Sequence, residues 1–89
     1  MKITVDISMY PLRENYVPPI KSFIIRLREY PGIEVVTNQL STQLTGEFDD
    51  VTRALNDCIS ESMAQSGRVV FVARYLNASL DISRMPEIP

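Results

Sequence analysis

The sequence predicts an α+β domain of two layers, a four-stranded antiparallel sheet with two helices on one face. Three observations carry the prediction. Apolar residues alternate at period two in the first segment and recur at helical spacing in two others. Pro31-Gly32 and Gly67 punctuate the chain at the ends of both helical segments. The segments then fall in the order β-α-β-β-α-β.

Ile3, Val5, Ile7 and Met9 alternate with Lys2, Thr4, Asp6, Ser8 and Tyr10, the pattern of a half-buried strand, and Pro11 ends it. Pro18 and Pro19 suit the first turn of a helix, where missing amides are tolerated. Val17, Ile20, Phe23, Ile24, Leu27 and Tyr30 form its apolar stripe, with Lys21, Arg26, Arg28 and Glu29 off it. Ile25 lies on the polar arc, as a lone exposed residue or a subunit contact. Residues 33–38 and 41–47 read as a hairpin about a tight Gln39-Leu40 connection. Asp49 is the expected N-cap of the second helix, whose stripe is Val51, Leu55, Cys58, Ile59 and Ser62, flanked by Ala54 and Met63. Cys58 on that stripe reads as a small core residue. Residues 69–77 form the fourth strand, apolar enough to expect partial cover on both faces.

This order is the split βαβ, or ferredoxin-like, arrangement, and right-handed crossovers give strand order 4-1-3-2. The domain spans residues 1–77, and 78–89 form a tail without a pattern, expected to be disordered or to lie on a neighbour. A chain of 89 residues makes one small core, which gains from association. The face opposite the helices is expected to carry Val36, Val70, Val72 and Leu76 beside Thr4, Asp6, Ser8 and Gln43. Four large apolar residues on an uncovered face predict a homo-oligomer, a dimer of dimers.

Nine basic and eleven acidic residues, with no run of like charge, argue against a nucleic-acid or anionic-membrane surface. A single cysteine, no apolar leader and no spanning-length run read as a cytoplasmic protein without membrane insertion. With no histidine and no cysteine cluster, neither a metal site nor a familiar nucleophile–base pair can be assembled. Arg13 and Asn38 loosely fit an acylphosphatase-type arrangement, but the loop after the first strand has no glycine to form an anion nest, and Glu14 repels phosphate. The expectation is a protein that is not an enzyme and needs no cofactor.

Thr37–Gly46, T-N-Q-L-S-T-Q-L-T-G, stands apart as a hairpin rich in uncharged hydrogen-bonding groups. Such groups are costly if buried without partners, so they mark either a wet face or a polar ligand. The topology gathers Tyr10, Arg13, Asn38, Ser41 and Thr42, with the start of the fourth strand, on one rim. An aromatic ring, an amide and hydroxyls suit a planar, near-neutral heterocycle such as an aminopyrimidine. A hairpin tip whose polar residues simply face water remains the alternative.

Ser8-Met9-Tyr10-Pro11-Leu12, Val17-Pro18-Pro19-Ile20, Pro31-Gly32-Ile33-Glu34-Val35, the whole Thr37–Gly46 run and Gly67-Arg68-Val69-Val70 together resemble the YkoF-like thiamin/hydroxymethylpyrimidine-binding family over residues 2–77. The resemblance implies a ferredoxin-like fold, as tandem repeats or as single-repeat chains that form dimers and tetramers; this chain holds one repeat. It implies non-catalytic binding of thiamin or its pyrimidine precursor. The residues it carries over are Tyr10, Asn38, Ser41, Thr42 and Gln43.

Overall fold

A computed structural model describes residues 1–65 and 67–89. The elements are β1 (Lys2–Pro11), α1 (Val17–Arg28), β2 (Ile33–Thr37), β3 (Thr42–Glu47), α2 (Phe48–Gln65) and β4 (Val69–Leu76). The sheet is antiparallel at each pairing, in the order β2-β3-β1-β4, which is the expected 4-1-3-2 read from the other edge.

The pleat of β1 divides the molecule. Ile3, Val5 and Ile7 are buried and meet Leu44 of β3, Phe23 and Leu27 of α1, and Val51, Ala54, Leu55 and Cys58 of α2. Phe71 of β4 joins from the edge, its ring centroid 5.1 Å from that of Phe23. The alternate residues Thr4, Asp6, Ser8 and Tyr10 pair with Leu76, Arg74, Val72 and Val70, while Asp6 also pairs with Gln43, itself opposite Val36. This register places Val36, Val70, Val72 and Leu76 on the open face, as the alternation predicts.

Four local expectations are corrected. α2 begins at Phe48, so Asp49 lies inside its first turn rather than capping it, where with Asp50 its charge faces the positive end of the helix dipole. Val17, as the first residue of α1, is exposed, and Pro19 is buried in its place. Ile25 is exposed. β4 is an edge strand, and beyond the half-buried Val69 and Phe71 its residues are exposed. The start of the tail turns back across the open face: the Thr4 hydroxyl donates to the Ala78 carbonyl at 2.8 Å and accepts from the Leu80 amide at 3.0 Å.

Two glycines fix how the helix layer meets the hairpin. Gly32, with φ +80°, ends the turn after α1, and a Cβ there would also meet the Asp50 carboxylate at 2.8 Å. A Cβ at Gly46 would sit 2.6 Å from the Gly32 carbonyl oxygen, so β2 and β3 converge only because Gly46 lacks one. Gly46→Ala is expected to force the backbones apart and to destabilise the domain by about 1–3 kcal/mol. Urea unfolding measures this, and an unchanged midpoint would contradict the close approach.

Candidate functional site

The β2–β3 turn is built by one side chain. Asn38 is where the ladder closes, its amide donating to the Ser41 carbonyl at 3.0 Å. The Asn38 Oδ1 accepts from the amides of Leu40 and Ser41, each at 3.0 Å, which supplies the turn with the acceptor it needs. Both of the Asn38 carboxamide hydrogens are on Nδ2, and its one contact is a long one, 3.4 Å to Gln43 Oε1. The side chain is therefore an acceptor toward its own turn and a donor toward anything outside it.

β1 runs on past the start of β3, and the turn stands beside that extension. Between them and α1 lies a pocket of about 140 Å³. Ile7 and Met9 of β1 and Ile20, Phe23 and Ile24 of α1 make its apolar walls, and Thr37, Asn38, Ser41, Thr42 and Tyr10 stand around them. The two threonine hydroxyls bond to each other at 3.0 Å. No charged side chain lines this pocket. Apolar walls with a few convergent polar groups are the usual make-up of a small-molecule site.

On the other face of the sheet, the turn is tied to a charged network. The Ser41 hydroxyl donates to Asp6 Oδ1 at 2.6 Å and accepts from Gln43 Nε2 at 2.7 Å. The Arg74 guanidinium donates to Asp6 Oδ2 from Nε at 3.0 Å and Nη2 at 2.6 Å. Beside this network runs an open groove of about 550 Å³, walled by Leu40, Leu76 and the tail residues Leu80 and Ile82.

The five residues expected at the site are therefore split by the pleat. Asn38, Ser41 and Thr42 line the pocket against α1, and Tyr10 reaches only its mouth, since the pleat puts its exposed side chain on the open face opposite Val70. Gln43 lies on the open face with Asp6, and Asn38 and Ser41 border both spaces. Thr42 is buried toward the helices. Arg13 is not part of the rim; it donates to the Asn15 carbonyl and lines a separate cleft between α1 and α2. Sequence reasoning read Ile20, Phe23 and Ile24 only as core stripe, and it did not connect Asp6 or Arg74 to the hairpin. The signal for Asp6 was present, since a carboxylate at the centre of an alternating strand needs partners on the neighbouring strands.

Cys58 is buried and its thiol pKa is pushed up to about 11, chiefly by desolvation, so it packs as core and stays protonated at neutral pH. Among the described residues no group of three metal-ligating side chains comes together, and no helix is long and apolar enough to cross a membrane.

The fold defines a single ferredoxin-like unit. The profile of the YKOF-related family matches residues 2–79, and the chain belongs to that family. No curated protein matches the chain. Among solved structures, it is similar to a hypothetical protein of Methanocaldococcus jannascii, with 24% identity over 88% of this chain and 81% of that one and a TM-score of 0.76. A Streptococcus pneumoniae protein superposes with a TM-score of 0.82 at 21% identity, covering 93% of this chain and 94% of its own. A candidate thiamine biosynthesis/salvage protein of Thermotoga maritima gives 0.75 at 18% identity, covering 84% of this chain and 82% of that one. Identities this low establish a shared fold.

The network on the open face predicts a pH response. The Ser41 hydroxyl holds the Asp6 carboxyl below its ordinary value of 3.8, helped by Arg74 and Gln43 and opposed by burial. A carboxyl whose folded pKa is depressed stabilises the fold above its unfolded pKa, and that contribution is lost as pH falls through the folded value. The stability gap between wild type and Asp6→Asn is therefore expected to be full above about pH 3.8 and to close as the pH drops further. Urea unfolding from neutral pH downward checks this, and a gap that stays constant through the acid range would contradict it.

Proposed function

We propose that this protein binds thiamin or its hydroxymethylpyrimidine precursor, without catalysis, in the pocket between β1, α1 and the β2–β3 turn. One observation carries the reading: an apolar slot without charge whose lip includes the Asn38 carboxamide, its acceptor end held by the turn and its donor end in only a long contact with Gln43. A neutral aminopyrimidine is flat enough for apolar walls and has ring nitrogens that accept in its plane. Asn38 Nδ2 would donate to such a nitrogen in exchange for its long contact with Gln43, the Thr37–Thr42 hydroxyl pair would meet the amino group, and Tyr10 would border the mouth of the pocket from the open face. Membership of the YKOF-related family and likeness to a candidate thiamine biosynthesis/salvage protein support this choice of heterocycle.

The wiring of Asn38 sets the test. Asn38→Ala removes two acceptor contacts that hold the turn, so it is expected to cost about 1–3 kcal/mol of stability as well as affinity. Asn38→Asp is the clean variant, because a carboxylate still accepts from Leu40 and Ser41 but has no hydrogen to donate outward. It is expected to weaken hydroxymethylpyrimidine binding by roughly three- to tenfold while the turn persists. Calorimetry on metabolite-free protein measures both variants, and equal affinity in wild type and Asn38→Asp would contradict the assigned contact.

The open face supports a second, compatible role in self-association. Val70, Val72 and Leu76 are 45%, 53% and 43% exposed on one face, and grouped apolar exposure of this kind marks an interaction surface. We infer a homo-oligomer built as a dimer of dimers, in the cytoplasm, with this face in contact. Val72→Lys is expected to dissociate it in sedimentation experiments, and a wild-type monomer at micromolar concentration would contradict the inference.

A further inference from the structure

The lip of the pocket and the charged network share one turn but stand on opposite faces of the sheet. Ser41 is the pivot. Its hydroxyl hydrogen goes to Asp6 and one lone pair to Gln43, so the position of residue 41 is fixed from the open face. The same residue closes the ladder against Asn38, and its amide is one of the two held by Asn38 Oδ1. Asp6 in turn is anchored by its own strand and by Arg74. A displacement of the Asn38 carboxamide therefore reaches Ser41 through one bond and Asp6 through one short bond more, with a longer route through Gln43, whose contacts to Asn38 and Asp6 are each 3.4 Å.

We propose that Asp6 is the positioning residue of the ligand pocket, acting across the sheet through Ser41, and that occupancy of the pocket is felt at the Asp6–Arg74 pair on the open face. The inference rests on the binding reading above. It goes beyond that reading by assigning a role to a charged group outside the pocket and by linking ligand to the face that supports association. The chemistry is consistent at each step. A charge-assisted bond to a hydroxyl is short and directional, so it orients Ser41 more tightly than water would. Arg74 is largely exposed, and a change in Asp6 can alter its geometry without repacking a core. The coupling needs no repacking of the turn, because Gln39 and Leu40 are exposed and the Leu40 amide is tied to the same Asn38 Oδ1.

Two measurements test the proposal. Hydroxymethylpyrimidine is titrated into nitrogen-labelled wild-type protein, and the Arg74 Nε–H and Asn38 Nδ2–H resonances are followed together. Both are expected to shift with one dissociation constant. In Ser41→Ala the Arg74 shift is expected to fall severalfold while the Asn38 shift persists, because the short bond to Asp6 is cut and only the 3.4 Å contacts through Gln43 remain. In calorimetry, Asp6→Ala and Ser41→Ala are each expected to weaken binding roughly three- to tenfold, with no further loss when combined, since both remove the Ser41–Asp6 bond. An Arg74 resonance unmoved at saturation, an Arg74 shift undiminished in Ser41→Ala, or additive losses in the double variant would overturn the proposal and leave the pocket intact. A wild-type protein in which neither resonance responds would overturn the pocket and the proposal together.

Discussion

Everything in this domain is referred to the pleat of β1. One strand supplies Ile3, Val5 and Ile7 to the buried layer and Thr4, Asp6, Ser8 and Tyr10 to the open face, and it pairs with β3 on one side and β4 on the other. A slip of one residue would exchange the two sets and place a carboxylate among the helices. The strong apolar demand of the core therefore fixes the register, and the register fixes where each polar side chain stands. Asp6 meets Gln43 and Arg74 as a consequence of burying Val5 and Ile7.

The same constraint explains why the pocket lies where it does. β1 outruns β3, so past Ile7 the sheet is narrower on that side, and the turn between β2 and β3 fills the space beside it. α1 crosses above with Ile20, Phe23 and Ile24 turned toward the gap. Packing is complete lower down, where Leu44, Leu55 and Val51 are wholly buried, and opens only at the rim. The pocket is the unfilled end of the core, and its polar edge is what the hairpin needs anyway to close its own backbone bonds. Asn38 serves both purposes because a carboxamide has two different ends.

The fold was legible because its signals are redundant. Alternation in β1, the helical stripes and the glycine and proline punctuation all point to one topology, and even the register of the edge strand β4 follows from its valines. The candidate site was legible as a place and less so as a geometry. Tyr10, Asn38 and Ser41 were found at the rim, but Thr42 and Gln43 were read as one set although adjacent residues of a strand face opposite ways. Asn38 carried a recognisable turn signature that a ligand-centred reading passed over. Asp6 and Arg74 are separated by most of the chain and meet only through β1–β4 pairing, so neither reveals the other in sequence. Boundary differences at α2 are smaller in origin, since Glu47-Phe48-Asp49-Asp50 offers several starts to a helix and Phe48 takes the earliest one, its amide held by the Met1 carbonyl at 2.9 Å.

The central claim is that a pyrimidine ring enters between the sheet and α1. Intermolecular nuclear Overhauser effects from hydroxymethylpyrimidine bound to the labelled protein test it most directly. The account predicts contacts from the ring methyl to the side chains of Ile20, Phe23 or Ile24. Contacts confined to Leu76, Leu80 and Arg74 would place the ligand on the open face and contradict it.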